Sequence, residues 1–308
     1  MLEITSGKTL RRDPMLAQPR RFDHRLFASR LGFVLGLCLA ALPAKSDPFA
    51  SAWSEGQAQM RLIAAGGDGA SYTAAAEIRL PPTAITYWRT PGDAGVPPTF
   101  STAGSENVAK AEVLFPAPRR INEQGIEAFG YRGGVVFPLH VAAREVDKPV
   151  RLRLTVNYAV CDNICLPEES RAELVLPRGA QSPHDAVIAA AEAQVPVALS
   201  PQDVAARVHI VPDKAATSPT WLLAWKGDFV PIDLFAEAPT GWVFGTHRRS
   251  DGLFSIAAVE EPPTAQRVAV RLTLTGTQNA YEFTTELTLP ASALPGEQTT
   301  QVAPAGTK

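Results

Sequence analysis

The sequence has little cysteine and no surplus of positive charge. Its 308 residues include three cysteines, and 19% of them are Asp, Glu, Lys or Arg. The formal net charge is -2 and the sequence pI is about 6.2, so the chain lacks the positive field with which proteins neutralise phosphate groups. We therefore expect no nucleic-acid partner.

Several common catalytic patterns are also missing. The chain has no Gly-x-Ser-x-Gly elbow, no His-Glu-x-x-His pair and no glycine loop of the kind that binds phosphate, which argues against a hydrolase. No segment after residue 45 has the length and apolarity of a membrane-spanning helix. Proline and glycine are plentiful instead. The 27 prolines and 22 glycines do not recur at a fixed spacing, which favours many short strands joined by turns.

The amino terminus has the pattern of an export signal. Four arginines between residues 20 and 30 precede an apolar run over residues 31–43. We predict a signal peptide over residues 1–44, with cleavage after Ala44. Cleavage there removes Cys38 and leaves Cys161 and Cys165 in an oxidising compartment, where two cysteines pair readily.

The rest of the chain predicts an all-β protein with two β-sandwich domains. We expect the first domain over residues 45–178, a linker with one short helix over 179–203, the second domain over 204–295 and a disordered tail over 296–308. The helix is expected over 185–193, ended by the prolines at 196 and 201.

Two segments predict a hairpin around the cysteines. Val150–Val160 alternates apolar and polar residues, which is typical of a strand with one buried and one wet face. Arg171–Pro177 repeats the alternation, so the two segments can pair, with Cys161 to Ser170 as their connecting loop. The remaining strands are expected at Arg207–Val211, Thr220–Trp225, Val268–Leu274 and Tyr281–Leu289, the last two as a second hairpin.

The spacing of Cys161 and Cys165 limits their role. A disulfide stabilises a fold chiefly by closing a long loop, and here it would enclose three residues, so a reversible redox couple is favoured over a structural link. Two alternatives remain open: a two-cysteine copper(I) site, and a periplasmic protein-adaptor module in which the disulfide is purely structural. Zinc is disfavoured because it needs four ligands. We expect no cofactor and no resident metal.

Acidic residues surround the pair in the sequence. Asp162, Glu168 and Glu169 lie close to the cysteines, and negative charge disfavours a thiolate. A thiol of this kind suits a specific electron shuttle better than a broad-range oxidant or isomerase.

Two motifs resemble a known family. The stretch from Tyr158 to Pro167, Tyr-Ala-Val-Cys-Asp-Asn-Ile-Cys-Leu-Pro, is similar to the N-terminal domain of the thiol:disulfide interchange protein DsbD. The stretches 86–100 and 111–118 resemble the same domain of the related ScsB proteins, which are linked to suppression of copper sensitivity. The resemblance covers about residues 50–178.

This resemblance implies an immunoglobulin-like sandwich in the periplasm that acts as one component of a protein-disulfide reductase. Its cysteine pair receives electrons from a membrane-embedded reductase through a thioredoxin-like domain. It passes them to periplasmic proteins, including disulfide isomerases and cytochrome c maturation factors. The second cysteine of the family's pair forms the mixed disulfide, which maps to Cys165 and leaves Cys161 to resolve it.

The family also shields its cysteines with a cap loop, for which residues 119–126 are the best counterpart here. The residues expected to support the pair are Tyr87, Trp88, Asn122, Tyr131, Tyr158 and Pro167. Family members fuse this domain to a membrane domain, whereas this sequence shows no such span. We therefore expect the electron donor to be a separate membrane-embedded protein.

Overall fold

The computed structural model describes residues 47–93, 95–123, 125–179, 181–260 and 267–289. The predicted signal peptide, with Cys38, and the predicted carboxy-terminal tail lie outside these residues. All described residues belong to one compact unit.

The described residues form eighteen strands and two short helices, so the all-β prediction is confirmed. The first ten strands are β1 (Gln59–Ala64), β2 (Ser71–Arg79), β3 (Ile85–Gly92), β4 (Thr99–Ser101), β5 (Val108–Val113), β6 (Arg119–Glu123), β7 (Ile126–Arg132), β8 (Gly134–Ala143), β9 (Arg151–Cys161) and β10 (Cys165–Val175). The remaining elements are α1 (Asp185–Glu192), β11 (Val197–Ala198), α2 (Pro201–Arg207), β12 (Val208–Pro212), β13 (Thr220–Trp225), β14 (Asp233–Glu237), β15 (Val243–Arg248), β16 (Phe254–Glu260), β17 (Arg267–Thr275) and β18 (Ala280–Thr288). Neither helix is long and apolar enough to cross a membrane.

The strands form four sheets in two pairs. One pair has the orders β1-β2-β8-β5 and β10-β9-β3-β7-β6, with β4 added beside β9, and we call it the amino-terminal sandwich. The other pair has the orders β11-β18-β17-β14 and β12-β13-β16-β15, and we call it the carboxy-terminal sandwich. Apart from the parallel pair β11–β18, the strand pairings are antiparallel.

Alternating apolar side chains build the core of each sandwich. In the amino-terminal sandwich, Leu62 and Phe137 from one sheet meet Leu154 from the other, and all three are fully buried or nearly so. Trp221 and Leu272 belong to the core of the carboxy-terminal sandwich. Because successive strand residues point to opposite faces, each sheet also has an outer face. On the β10-β9-β3-β7-β6 sheet, the outer face carries the cysteines.

The hairpin at the cysteines is tighter than the sequence indicated. The predicted loop of Cys161 to Ser170 is wrong, because β9 runs to Cys161 and β10 already begins at Cys165. Only residues 162–164 connect the strands. The β9–β10 ladder continues through Pro167 although proline lacks an N–H donor. It can do so because β10 is an edge strand, where a missing donor is tolerated.

The segment between the sandwiches also differs from the prediction. Helix α1 forms as expected, and its Ile188 packs on Ile63 and Ala75 of the first sheet. Pro201 was expected to end a helix, but it begins α2 instead. At the first helical position a missing N–H costs nothing, and Ser200 caps the helix by accepting a hydrogen bond from the Asp203 N–H at 3.1 Å.

Candidate redox site

The β9–β10 hairpin places the two cysteines directly opposite each other. Cys161 and Cys165 are register partners at the end of the ladder, their Cα atoms are 4.0 Å apart, and a disulfide joins them. The Asp162 N–H bonds to the Ile164 carbonyl, and the Thr83 hydroxyl donates to the Asp162 carboxylate at 3.0 Å. The predicted disulfide is confirmed, and its short loop is tied to the segment that precedes β3.

The two sulfur atoms differ in their surroundings. Cys161 is 1% exposed, whereas Cys165 is an exposed residue. Two cysteines on the connecting loop of a hairpin are expected to be exposed, and for Cys161 this expectation is wrong. The alternation of β9 breaks at its end, where residues on both faces are buried. The outer face is covered there by a small cluster around Cys161, formed by Ile85, Tyr87, Ile121, Ala128 and Ala159.

Tyr87 and Glu123 contact the disulfide. The Tyr87 hydroxyl oxygen lies 3.0 Å from Cys161 Sγ and 3.4 Å from Cys165 Sγ, and it donates to Glu123 Oε2 at 2.8 Å. Glu123 Oε1 lies 3.5 Å from Cys165 Sγ. A phenol hydroxyl and a carboxylate therefore contact the sulfurs of the disulfide, the bond that redox chemistry would break.

The burial of Tyr87 keeps its hydroxyl protonated. Desolvation, reinforced by the hydrogen bond to the Glu123 carboxylate and by its negative charge, raises the pKa of Tyr87 well above the ordinary value of 10.0. The hydroxyl has one proton, which in the disulfide form bonds to Glu123. When Cys161 becomes a thiolate, the same proton can bond to sulfur instead.

Glu123 is the site residue that sequence reasoning missed. It lies in the segment 119–126 that was expected to shield the cysteines, but Asn122 was selected from that segment. On a strand, Ile121 and Glu123 share a face and Asn122 points to the other. The Asn122 side chain accepts a hydrogen bond from the Gly125 N–H at 2.9 Å and so helps to form the β6–β7 turn. The available signal was the two-residue spacing, which places Glu123 on the same face of the strand as the apolar Ile121.

Three of the aromatic residues expected to support the pair lie in the main core. Trp88, Tyr131 and Tyr158 are buried between the sheets, not in the cluster around Cys161. The Tyr131 hydroxyl donates to the Pro116 carbonyl at 2.8 Å, and the Tyr158 hydroxyl bonds with Ser170 Oγ at 3.1 Å. Of the expected aromatic residues, the structure brings Tyr87 to the sulfurs.

A groove opens beside the exposed cysteine. Its volume is about 400 Å³, and Cys165 lies in its wall. Val96, Pro97 and Pro167 help to make the lining mostly apolar. Glu168 and Glu169 also line it, and the Glu169 carboxylate pairs with Arg171 at 2.6 Å. Pro167, one of the expected supporting residues, therefore shapes the surface next to the sulfur. The surface beside the Cys165 sulfur is largely apolar.

The same atoms form a possible ligand set. One carboxylate oxygen of Glu123 and the two cysteine sulfurs lie within 4.8 Å of one another. Thiolates bind soft cations such as copper(I), but only after the disulfide has been reduced.

The chain is similar to two known groups of proteins. Residues 52–177 match the family model described as "Thiol:disulfide interchange protein DsbD, N-terminal". The N-terminal periplasmic domain of ScsB from Proteus mirabilis superposes with a TM-score of 0.63 at 20% identity, covering 79% of this chain and all of that chain. At this identity the second likeness shows the fold alone, and with it the predicted immunoglobulin-like fold is confirmed.

A further structural match carries no argument. The GAE domain of yeast GGA1 gives a TM-score of 0.24 at 9% identity, covering 40% of this chain and 97% of that chain. No curated protein matches the sequence.

Proposed function

We propose that this protein relays electrons to other proteins through Cys161 and Cys165, because residues 52–177 match the family model of the DsbD N-terminal domain. The observation that carries the proposal is the unequal pair: one exposed sulfur, and one buried sulfur in contact with a phenol. A purely structural disulfide over three residues would add little stability and would need no such asymmetry.

The reducing half of the cycle begins at Cys165. Its thiolate attacks a disulfide of the substrate protein, a new bond forms between Cys165 Sγ and one substrate sulfur, and the other substrate sulfur leaves as a thiolate. The Cys161 thiolate then attacks Cys165 Sγ, which releases the first substrate sulfur and closes the Cys161–Cys165 disulfide. Two electrons pass to the substrate, which leaves as a dithiol once protonated.

In the other half of the cycle a donor protein reduces the Cys161–Cys165 disulfide, again through the sulfur of Cys165. A donor thiolate attacks Cys165 Sγ, because Cys161 is buried, and the electron pair of the broken bond stays on Cys161. Tyr87 lies where it can donate a hydrogen bond to that leaving thiolate. The donor's second thiol then attacks the mixed disulfide and frees Cys165.

The partners follow from the groove and its charge. The apolar lining beside Cys165 favours a partner with an apolar surface around its own cysteine, and the Glu123 carboxylate next to Cys165 Sγ disfavours negative charge there. We propose a thioredoxin-like domain or a membrane-embedded thiol reductase as donor. Disulfide isomerases or cytochrome c maturation proteins are the proposed acceptors.

The proposed location is the periplasm. The basic and apolar pattern of residues 1–44 supports export, and the matched ScsB domain is described as periplasmic. We also propose that residues 45–178 form the redox domain and that residues 204–295 form a second domain packed against it.

Trapping tests the relay. With Cys161→Ser in the exported chain, we expect Cys165 to accumulate in mixed disulfides with its partners, since no resolving thiol remains. Cys165→Ser is the matched control and should trap far less, because the sulfur of Cys161 is buried. If nothing accumulates on Cys165 under reducing or oxidising growth, the relay is wrong.

A copper(I) site is the second candidate. The grouping of two sulfurs and the Glu123 carboxylate within 4.8 Å favours it. Reduced protein would then compete for copper(I) with a chromophoric chelator, and Glu123→Gln would weaken this competition. Failure of the reduced protein to take copper(I) from the chelator would rule this candidate out without affecting the relay.

A further inference from the structure

Strands β3, β6 and β7 of the redox site also contact the carboxy-terminal sandwich. Strand β3 carries Tyr87 next to the sulfurs and Trp88 one residue later, in the main core. Strand β7 places Ala128 beside Cys161 and Phe129 in the main core. Since neighbouring residues on a strand point to opposite faces, the same short length of β3 and of β7 contacts the cysteine cluster on one face and the main core on the other.

The carboxy-terminal sandwich inserts a side chain into that core. Phe235 of β14 is fully buried and belongs to the core cluster of the amino-terminal sandwich. Its ring centroid lies 6.0 Å from that of Trp88 and 4.9 Å from that of Phe129, both in edge-on geometry. The two sandwiches therefore share packed aromatic side chains directly behind the sulfur site.

Arg89 and Thr90 fasten β3 to the same sandwich. The Arg89 guanidinium donates to both carboxylate oxygens of Glu237, at 2.7 to 3.2 Å, and also to Glu282. The Thr90 hydroxyl donates to Glu237 Oε2 at 3.0 Å. A planar, bidentate pair of this kind fixes orientation as well as distance. Glu237 thus holds two residues that follow Tyr87 by two and three positions.

Arg120 fastens β6 in the same way. Its guanidinium donates to both oxygens of Asp233 at 2.9 to 3.2 Å and to the Leu234 carbonyl at 2.9 Å. Ile121 and Glu123, which contact the cysteine cluster, follow on the same strand. Strands β3 and β6, which carry the polar contacts to the sulfurs, are therefore both anchored by arginine–carboxylate pairs.

From this arrangement we propose that the carboxy-terminal sandwich positions the redox site, with Glu237 acting on the disulfide through Arg89, Thr90 and β3 to hold Tyr87 against Cys161 Sγ. The inference rests on the proposed relay and gives the second sandwich a part in it. Glu237 and Arg89 are positioning residues, because neither reaches the sulfurs. Tyr87 is the residue that does.

A double-mutant cycle tests this in the full chain. The measured quantity is the rate at which dithiothreitol reduces the Cys161–Cys165 disulfide, followed by acid quench and thiol alkylation. We expect Glu237→Ala to slow reduction roughly three- to tenfold, within the range measured for coupling between remote sites. In the Tyr87→Phe background the same substitution should change the rate by less than about twofold, since the group it positions is gone.

Two further variants make the result specific. Asp213→Ala removes a partner of Arg249 within the carboxy-terminal sandwich, at 3.4 Å, and should leave the rate unchanged. Glu237→Gln retains an oxygen acceptor for Arg89 and should slow reduction less than Glu237→Ala. It also serves as the measured variant if the alanine variant does not fold.

The outcomes separate this inference from the relay. If Glu237 variants slow reduction equally with Tyr87 or Phe at position 87, or do not slow it at all, the positioning role is wrong and the relay stands. If dithiothreitol cannot reduce the unmodified disulfide, the relay is wrong and this inference falls with it. Slowing that depends on Tyr87 supports both.

Discussion

Replacing Tyr87 by phenylalanine removes one oxygen atom from the redox site. The ring can remain in the cluster around Cys161, but the hydroxyl that lies 3.0 Å from Cys161 Sγ and donates to Glu123 is lost. When the disulfide opens, the Cys161 thiolate forms in a site where the sulfur is 1% exposed. Without the hydroxyl, that charge has neither water nor this donor.

The size of the effect is a difference between two hydrogen bonds. A bond to a charged group contributes about 1.5 to 3 kcal/mol, and Tyr87 must give up its bond to the Glu123 carboxylate to reach the thiolate. Glu123 is partly exposed, so water can replace Tyr87 there, whereas the buried Cys161 thiolate has no such replacement. A net cost of about 1 to 2 kcal/mol in the transition state remains, which corresponds to roughly five- to thirtyfold slower reduction. The same hydroxyl contributes about 0.5 to 1.5 kcal/mol to the stability of the oxidised protein.

The assay is reduction of the oxidised protein by dithiothreitol, with alkylation of the released thiols. Tyr158→Phe is the matched control, because Tyr158 is a buried tyrosine of β9 whose hydroxyl bonds to Ser170 and which packs in the main core. It should lose stability while its disulfide is reduced at the rate of the unmodified protein. Equal rates for Tyr87→Phe and the unmodified protein, or equal slowing by the two substitutions, would refute the role given to Tyr87.

Three further predictions follow from burial and close approach. In the reduced protein, iodoacetamide should alkylate Cys165 much faster than Cys161, as peptide mass spectrometry would show; equal rates would contradict the proposed roles. Gly130→Ala would place a Cβ atom 2.1 Å from the Thr86 carbonyl oxygen, so we expect a loss of about 1 to 3 kcal/mol in urea unfolding, and unchanged stability would show that β3 and β7 can separate freely. Burial raises the pKa of Tyr131 above its ordinary 10.0. The folded chain therefore keeps the hydroxyl proton to a higher pH than the unfolded chain does. The free energy of unfolding should consequently fall as the pH rises above about 10. Urea midpoints across that range should fall less steeply for Tyr131→Phe, and an identical slope would contradict the assignment.

The hairpin shows why part of the site could be read from the sequence. Apolar and polar residues alternate along Val150–Val160, and alternation is a local property that survives whatever surrounds the strand. It predicted the cysteines on the connecting loop of a hairpin, and export to an oxidising compartment favoured their pairing. The length of the loop was wrong because β10 extends through Pro167, which an edge strand tolerates and a local pattern does not reveal.

The contacts of the sulfurs depend on distant parts of the chain. Tyr87 and Cys161 are 74 positions apart, and Glu123 is 42 positions from Cys165. The first approach follows from the pairing of β9 with β3, whereas β6 and β10 are opposite ends of the order β10-β9-β3-β7-β6, so the approach of Glu123 to Cys165 depends on the curvature of the sheet. No local pattern fixes either. For the same reason Trp88, adjacent to Tyr87, was expected near the cysteines, whereas the pleat turns it to the other face of the sheet.

The sequence by itself determined that this is an all-β chain with one closely spaced cysteine pair after a predicted export signal, since strand periodicity, charge and cysteine count are additive properties of the residues. The tertiary structure decided which sulfur is buried, which phenol and carboxylate meet it, and that Arg89 and Arg120 fasten the site to a second sandwich. These depend on strand order and on packing between sheets, where side chains far apart in the chain share one small volume.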